Sequence, residues 1–153
     1  MRTFTLSEPS RWIAGIMLIS IVTIEFGGTY LLRVVSGEVD LTAFQTAYSR
    51  AGHAHAGVLV TLGLVVVLFA DAAGLTGAAG HVSRLGVPLA AILLPAGFFL
   101  SSLGRGVTEP NGLVVLIWLG AASLAVGVTT LGVALLRLPG RKASTVHHAS
   151  ASH

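Results

Sequence analysis

The chain has 153 residues, of which 54% are hydrophobic and only 10% charged, with a mean hydropathy of +0.86. A soluble domain carries about 25% charged residues, and a small one exposes much of what it contains. This composition therefore excludes a water-soluble globular protein and makes the lipid bilayer the expected environment. The net charge of +3 does not mark a nucleic-acid binder, because the basic residues are scattered and most flank apolar runs, where Lys and Arg set topology. The absence of cysteine removes disulfides, thiolate metal sites, thiol redox chemistry and c-type haem attachment.

A helix crosses the hydrocarbon core with roughly 20 apolar residues. Stretches of about 12–35, 45–70, 85–103 and 113–136 meet that requirement. The expected fold is an all-α integral membrane four-helix bundle over residues 1–138, followed by a small polar tail, 139–153, expected to be disordered. The first run is read as a retained helix, since it contains Glu25, is long for a signal sequence and lacks a small-residue cleavage site before Tyr30. Ser36–Asp40 leaves the first span, Gly74, Gly77 and Gly80 punctuate the second link, and Gly104-Arg105-Gly106 with Glu109-Pro110-Asn111-Gly112 forms the third.

Orientation follows from the basic residues. Arg2 and Arg11 precede the first span, Arg84 is assigned to the second link, and Arg137, Arg141 and Lys142 follow the fourth span. Arg33, Arg50 and Arg105 lie on the other side beside Glu38, Asp40 and Glu109. The balance places both termini in the cytoplasm, and the expected location is a bacterial cytoplasmic (inner) membrane. His147, His148 and His153 in the tail are read as incidental. Pro88 is expected in the first turn of the third helix. Pro95 is expected inside it, ahead of Ser101 and Ser102, either kinking the helix to open a cavity beside the Glu25, Arg50 and His53 cluster or standing as an ordinary tolerated membrane proline. In the fourth span Gly120, Ala121, Ala125, Gly127 and Gly132 give a small-residue face for close packing.

An ionisable residue inside a span marks a candidate functional site. Glu25 lies roughly 10 to 15 Å below the outer end of the first span, with Thr29 one turn later on the same face. The second span opens with Tyr48-Ser49-Arg50-Ala51-Gly52-His53-Ala54-His55, which brings His53 and His55 to about the depth of Glu25. The two histidines stand about 200° apart on a helix, so they cannot chelate one ion together. Arg50 and His53 share a face, and a cluster of Arg50, His53 and Glu25 is expected where the first two helices meet. His53, His55 and Glu25 are the candidate metal or haem ligands, supported by Arg50, Thr29, Tyr48, Ser101 and Arg105. The same cluster suits a proton relay in a homo-oligomeric transporter or channel, or helix association in a structural or assembly subunit of a larger membrane complex. No nucleophile–base pair or phosphate-binding loop is present.

The run Gly52-His53-Ala54-His55-Ala56-Gly57-Val58-Leu59 resembles the Ala-His-Ala-His-Leu-type motif at the start of the second helix in small four-helix membrane proteins related to the catalytic-subunit family of haem-copper oxidases. The resemblance covers about twenty residues and the four-span layout. It implies that His53 or His55 ligates haem iron or another metal, such as Cu or Zn, in a respiratory or redox accessory role. Ala56 stands where that family has Leu, and the third and fourth spans offer no buried histidine, so a complete oxidase site is not expected.

Overall fold

A computed structural model describes residues 5–138. Arg2 and the tail, with Arg141, Lys142, His147, His148 and His153, lie outside the described residues. The order of elements is α1 (Glu8–Val35), α2 (Ala43–Ala72), α3 (Gly77–Ser101), a 3-10 turn at Gly112–Val114, and α4 (Val115–Leu136). All four helices are long and apolar enough to cross a membrane. With four spans the described ends lie on one side; following the charge bias, we call this the inner end.

Each helix begins and ends for a local reason. Ser7 caps α1, its side chain accepting from the Ser10 N–H, with Pro9 just inside. Thr42 and Gln45 form a capping box at the start of α2. α1 and α2 both stop at a glycine in the left-handed region, Gly37 (φ +79°) and Gly74 (φ +64°). The Glu38 N–H reaches back to the Arg33 carbonyl with the Gly37 N–H on the Val34 carbonyl, and the Leu75 N–H to the Ala70 carbonyl with the Gly74 N–H on the Asp71 carbonyl, the paired bonds of a Schellman ending at each helix.

α3 starts eight residues before the expected span, because apolar content alone does not mark a helix that opens with Gly77-Ala78-Ala79-Gly80. Two expectations are thereby corrected. Arg84 belongs to α3 and not to the second link, and Pro88 sits in the helix interior beside Pro95 and not in the first turn.

The helices are arranged in chain order. α2 packs on α1 and on α3, α3 packs on α4, and among the described residues α1 makes no contact with α4. The core lies between the last three helices and is built from Leu59, Val66 and Ala70 of α2, Val87, Ala90 and Leu94 of α3, and Leu131 of α4. α3 and α4 approach through glycines: a Cβ on Gly86 would stand 2.5 Å from the Gly127 Cα, and one on Gly120 would meet Leu94. The Ser123 hydroxyl donates to the Gly86 carbonyl at this crossing, so the small-residue face of α4 is in part a packing face. Trp12, Phe26 and Trp118 are about 70% exposed, as suits side chains facing lipid.

Candidate functional site

Polar side chains gather at both ends of the bundle. At the inner end the Asp71 carboxylate accepts from the Ser7 N–H (2.7 Å), the Ser7 hydroxyl (2.9 Å) and the Arg84 guanidinium. Arg84 also donates to the Ser10 hydroxyl and the Leu75 carbonyl. Arg84 and Asp71 are 2.7 Å apart, with side chains 12% and 4% exposed. Asp71 stands at the carboxyl end of α2, where the helix dipole opposes it, but also at the amino end of α1, where the dipole favours it. The cluster ties α1, α2 and α3 together with its polar groups matched, which makes it a structural clamp. The sequence carried a signal for it: one acid and one base bracket the glycine-marked second link.

At the outer end, Gln45 is buried and its amide donates to the Ser102 carbonyl (3.0 Å) and the Gly104 carbonyl (2.8 Å). Thr42 donates to the Val107 carbonyl. Carbonyls of the α3 cap and of the loop beyond it are thus satisfied from the start of α2. Asn111 completes the closure with its N–H on the Ser101 carbonyl and its side-chain amide on the Leu100 carbonyl.

Beneath this clasp lies a cavity of about 420 Å³ between α1 and α3, floored by α2 and lined by Gly27, Tyr30, Gln45, Ser49, Phe99 and Ser102 among others. Gln45, Ser49 and His53 follow one another at i, i+4 and i+8, a single stripe on α2. Ser49 is 5% exposed, and its hydroxyl makes no hydrogen bond to another described residue. One turn deeper, the His53 ring rests against α1. A Cβ on Gly27 would come 3.3 Å from His53 Nδ1, and one on Gly28 would come 3.5 Å from Cε1. The glycine pair is therefore what admits an imidazole between the helices.

The remaining expected residues divide between two flanks of α2. His55 is exposed, places Nδ1 2.7 Å from the Ala51 carbonyl and lies 5.1 Å from the Phe98 ring of α3. The expected opposition of the histidines is thus seen: His53 lies against α1 and His55 beside α3. Tyr48 is half-buried against Phe44 and Phe98. Glu25 and Arg50 are exposed, and among the described residues neither forms an ion pair; the ion pairs there are Arg33–Glu38 and Arg84–Asp71. The expected Arg50–His53–Glu25 cluster is thus not closed within one chain. Thr29 donates to its own helix at the Phe26 carbonyl. Ser101 is buried and turned to the Phe98 carbonyl, and Arg105 is exposed in the loop.

Among the described residues no group of three His, Cys, Asp or Glu side chains is placed to hold a metal ion. His53, His55 and Glu25 do not converge, because the histidines flank α2 on different sides and Glu25 faces outward. Sequence reasoning passed over Gln45 and Ser49. Their spacing from His53 was the available signal, outweighed by the more conspicuous His-Ala-His run.

No protein-family model, curated protein or solved structure matches the chain. Fold and composition define its class: a small all-α membrane protein of four spans.

Proposed function

We propose that this protein binds a small amphipathic molecule in the outer half of the membrane, its hydrogen-bonding head in the cavity beneath Gln45 and its apolar part along α1 and α3. One observation carries this reading: the Ser49 hydroxyl, on the Gln45–Ser49–His53 stripe, opens on the cavity and makes no hydrogen bond to another described residue. Ser49 and Tyr30 are the contacts. A proton route through one chain finds no support in the inner half. There the space between α1 and α3 is lined chiefly by Ile13, Ile16, Met17, Leu85 and Leu89, with Ser20 and Thr23 the hydroxyl-bearing residues.

Native mass spectrometry of the detergent-purified protein tests the reading. The wild type is expected to carry an additional small-molecule mass that Tyr30→Phe weakens and Ser49→Leu removes. A wild type free of any adduct, or an adduct untouched by either substitution, refutes it.

A second reading is favoured by one feature of His55. Its Nδ1 is engaged by the Ala51 carbonyl, an arrangement that fixes the tautomer and leaves Nε2 free as a ligand. Haem held at one such Nε2, or between two copies, would give the protein the redox accessory role that the histidine motif implies. A Soret band lost in His55→Ala supports this reading, and a colourless protein rules it out.

A further inference from the structure

We propose that the face of the α1–α2 pair opposite the outer cavity binds a second copy of this chain, with Glu25 of each copy paired to Arg50 of the other. This inference is independent of the ligand reading.

Glu25 lies ten residues before the end of α1, about 15 Å along the axis, so it stands near the middle of its span. There it is exposed and has no partner among the described residues. Arg50 lies in the outer half of α2 in the same condition. Glu25 is a charge that a bilayer disfavours unless it is paired, and Arg50, nearer the outer surface, is a base within reach of its depth.

Their placement follows from the packing. Gly27 stands beside His53 and Gly63 beside Met17, which fixes the antiparallel register. Glu25 is at the height of His55 and Arg50 at the height of Tyr30, about 8 Å apart along the axes at 1.5 Å per residue. At about 100° per residue, Glu25 falls about 60° beyond Gly28 and Arg50 about 60° beyond His53, each turned away from the cavity residues Gly27 and Ser49. The acid and the base therefore share the back of the pair.

The surrounding surface suits a helix partner. Leu18, Val22, Glu25, Thr29 and Leu32 follow at alternating intervals of four and three, the spacing of a helix–helix seam. Leu18, Val22 and Leu32 are 56%, 60% and 70% exposed, and nothing lies within 4 Å of a Cβ on Gly15, which extends the seam inward. A two-fold axis along the membrane normal brings two such seams together and preserves their heights. Each Glu25 then has the Arg50 of the other copy to pair with, and the two arginines also offset the repulsion between the two Glu25 carboxylates that the seam brings to one height beside the axis. A heterologous partner would have to supply both a base and an acid at these heights; a second copy supplies both.

The test is charge exchange between two tagged versions of the full chain in liposomes. The sequence has no cysteine, so Thr29→Cys reports the seam by disulfide cross-linking. Wild-type charge with this reporter is expected to cross-link. Glu25→Arg alone and Arg50→Glu alone are expected to fall to background. Mixing those two variants should restore cross-linking, now between differently tagged chains, which also shows that both fold. The proposal is overturned if the reporter chain stays monomeric or if the single variants cross-link like the wild type. It is equally overturned if the two changes rescue each other only within one chain, which would assign the pair to a single copy.

Discussion

Arg84 meets Asp71 at 2.7 Å inside the junction of three helices, each side chain almost wholly removed from solvent. The pair is a point of assembly for α1, α2 and α3, since Ser7 and Ser10 of α1 and the Leu75 carbonyl bond to the same two groups. Removing one partner leaves an uncompensated buried charge, at a cost of about 3–5 kcal/mol. Arg84→Met and Asp71→Leu should each lower the thermal unfolding midpoint in detergent sharply. The double variant should recover part of the loss, because no buried charge then remains. A double variant as unstable as the sum of the singles would show that the charges act separately.

The α3–α4 crossing gives a second prediction. A Cβ on Gly86 would press on the Gly127 backbone at 2.5 Å, and backbone has no rotamer by which to yield. Gly86→Ala should destabilise by about 1–3 kcal/mol through overpacking and weaken the Ser123 hydrogen bond. Gly57→Ala and Gly132→Ala are the controls, as nothing lies within 4 Å of either position; both should leave the midpoint unchanged or slightly raised, since Ala favours a helix more than Gly. Equal losses at all three sites would show that crowding at the α3–α4 crossing is not the cause.

How much of this was legible in the sequence depends on which physical signal each part leaves. The four spans were legible because twenty apolar residues are required for each crossing, and the opposition of His53 and His55 was legible because helical spacing alone fixes it. The start of α3 was hidden: Gly77, Gly80 and Arg84 read as a link, yet the Arg84–Asp71 pair holds them in the helix. The relation of Glu25 to Arg50 depends on rotation about two axes, which hydropathy does not encode; only the packing of His53 on Gly27 and Gly28 sets it. Gln45 and Ser49 were obscured because a lone amide and a lone hydroxyl near a helix start are usually caps. Gln45 is indeed a cap, but it also reaches a different helix.

The outer clasp supplies a third prediction. Gln45→Leu keeps the volume but leaves the Ser102 and Gly104 carbonyls without their donor. It should cost about 1–3 kcal/mol, the penalty for unmatched buried polar groups. Amide hydrogen exchange should quicken most in the loop from Ser102 to Asn111, while the inner clamp around Asp71 keeps its protection. Unchanged exchange in that loop would show that the Thr42 and Asn111 contacts hold it without Gln45.

The open order of the helices, with α1 never meeting α4, has a consequence for how the chain comes to be folded. Each helix packs chiefly on its neighbours in sequence, so α1, α2 and α3 can join before α4 is made and α4 then adds to α3. Contacts between successive segments close short loops, and short loops lose little entropy. Each span can therefore be fixed as it leaves the insertion machinery, with the Asp71–Arg84 clamp locking the first three in place before α4 is complete.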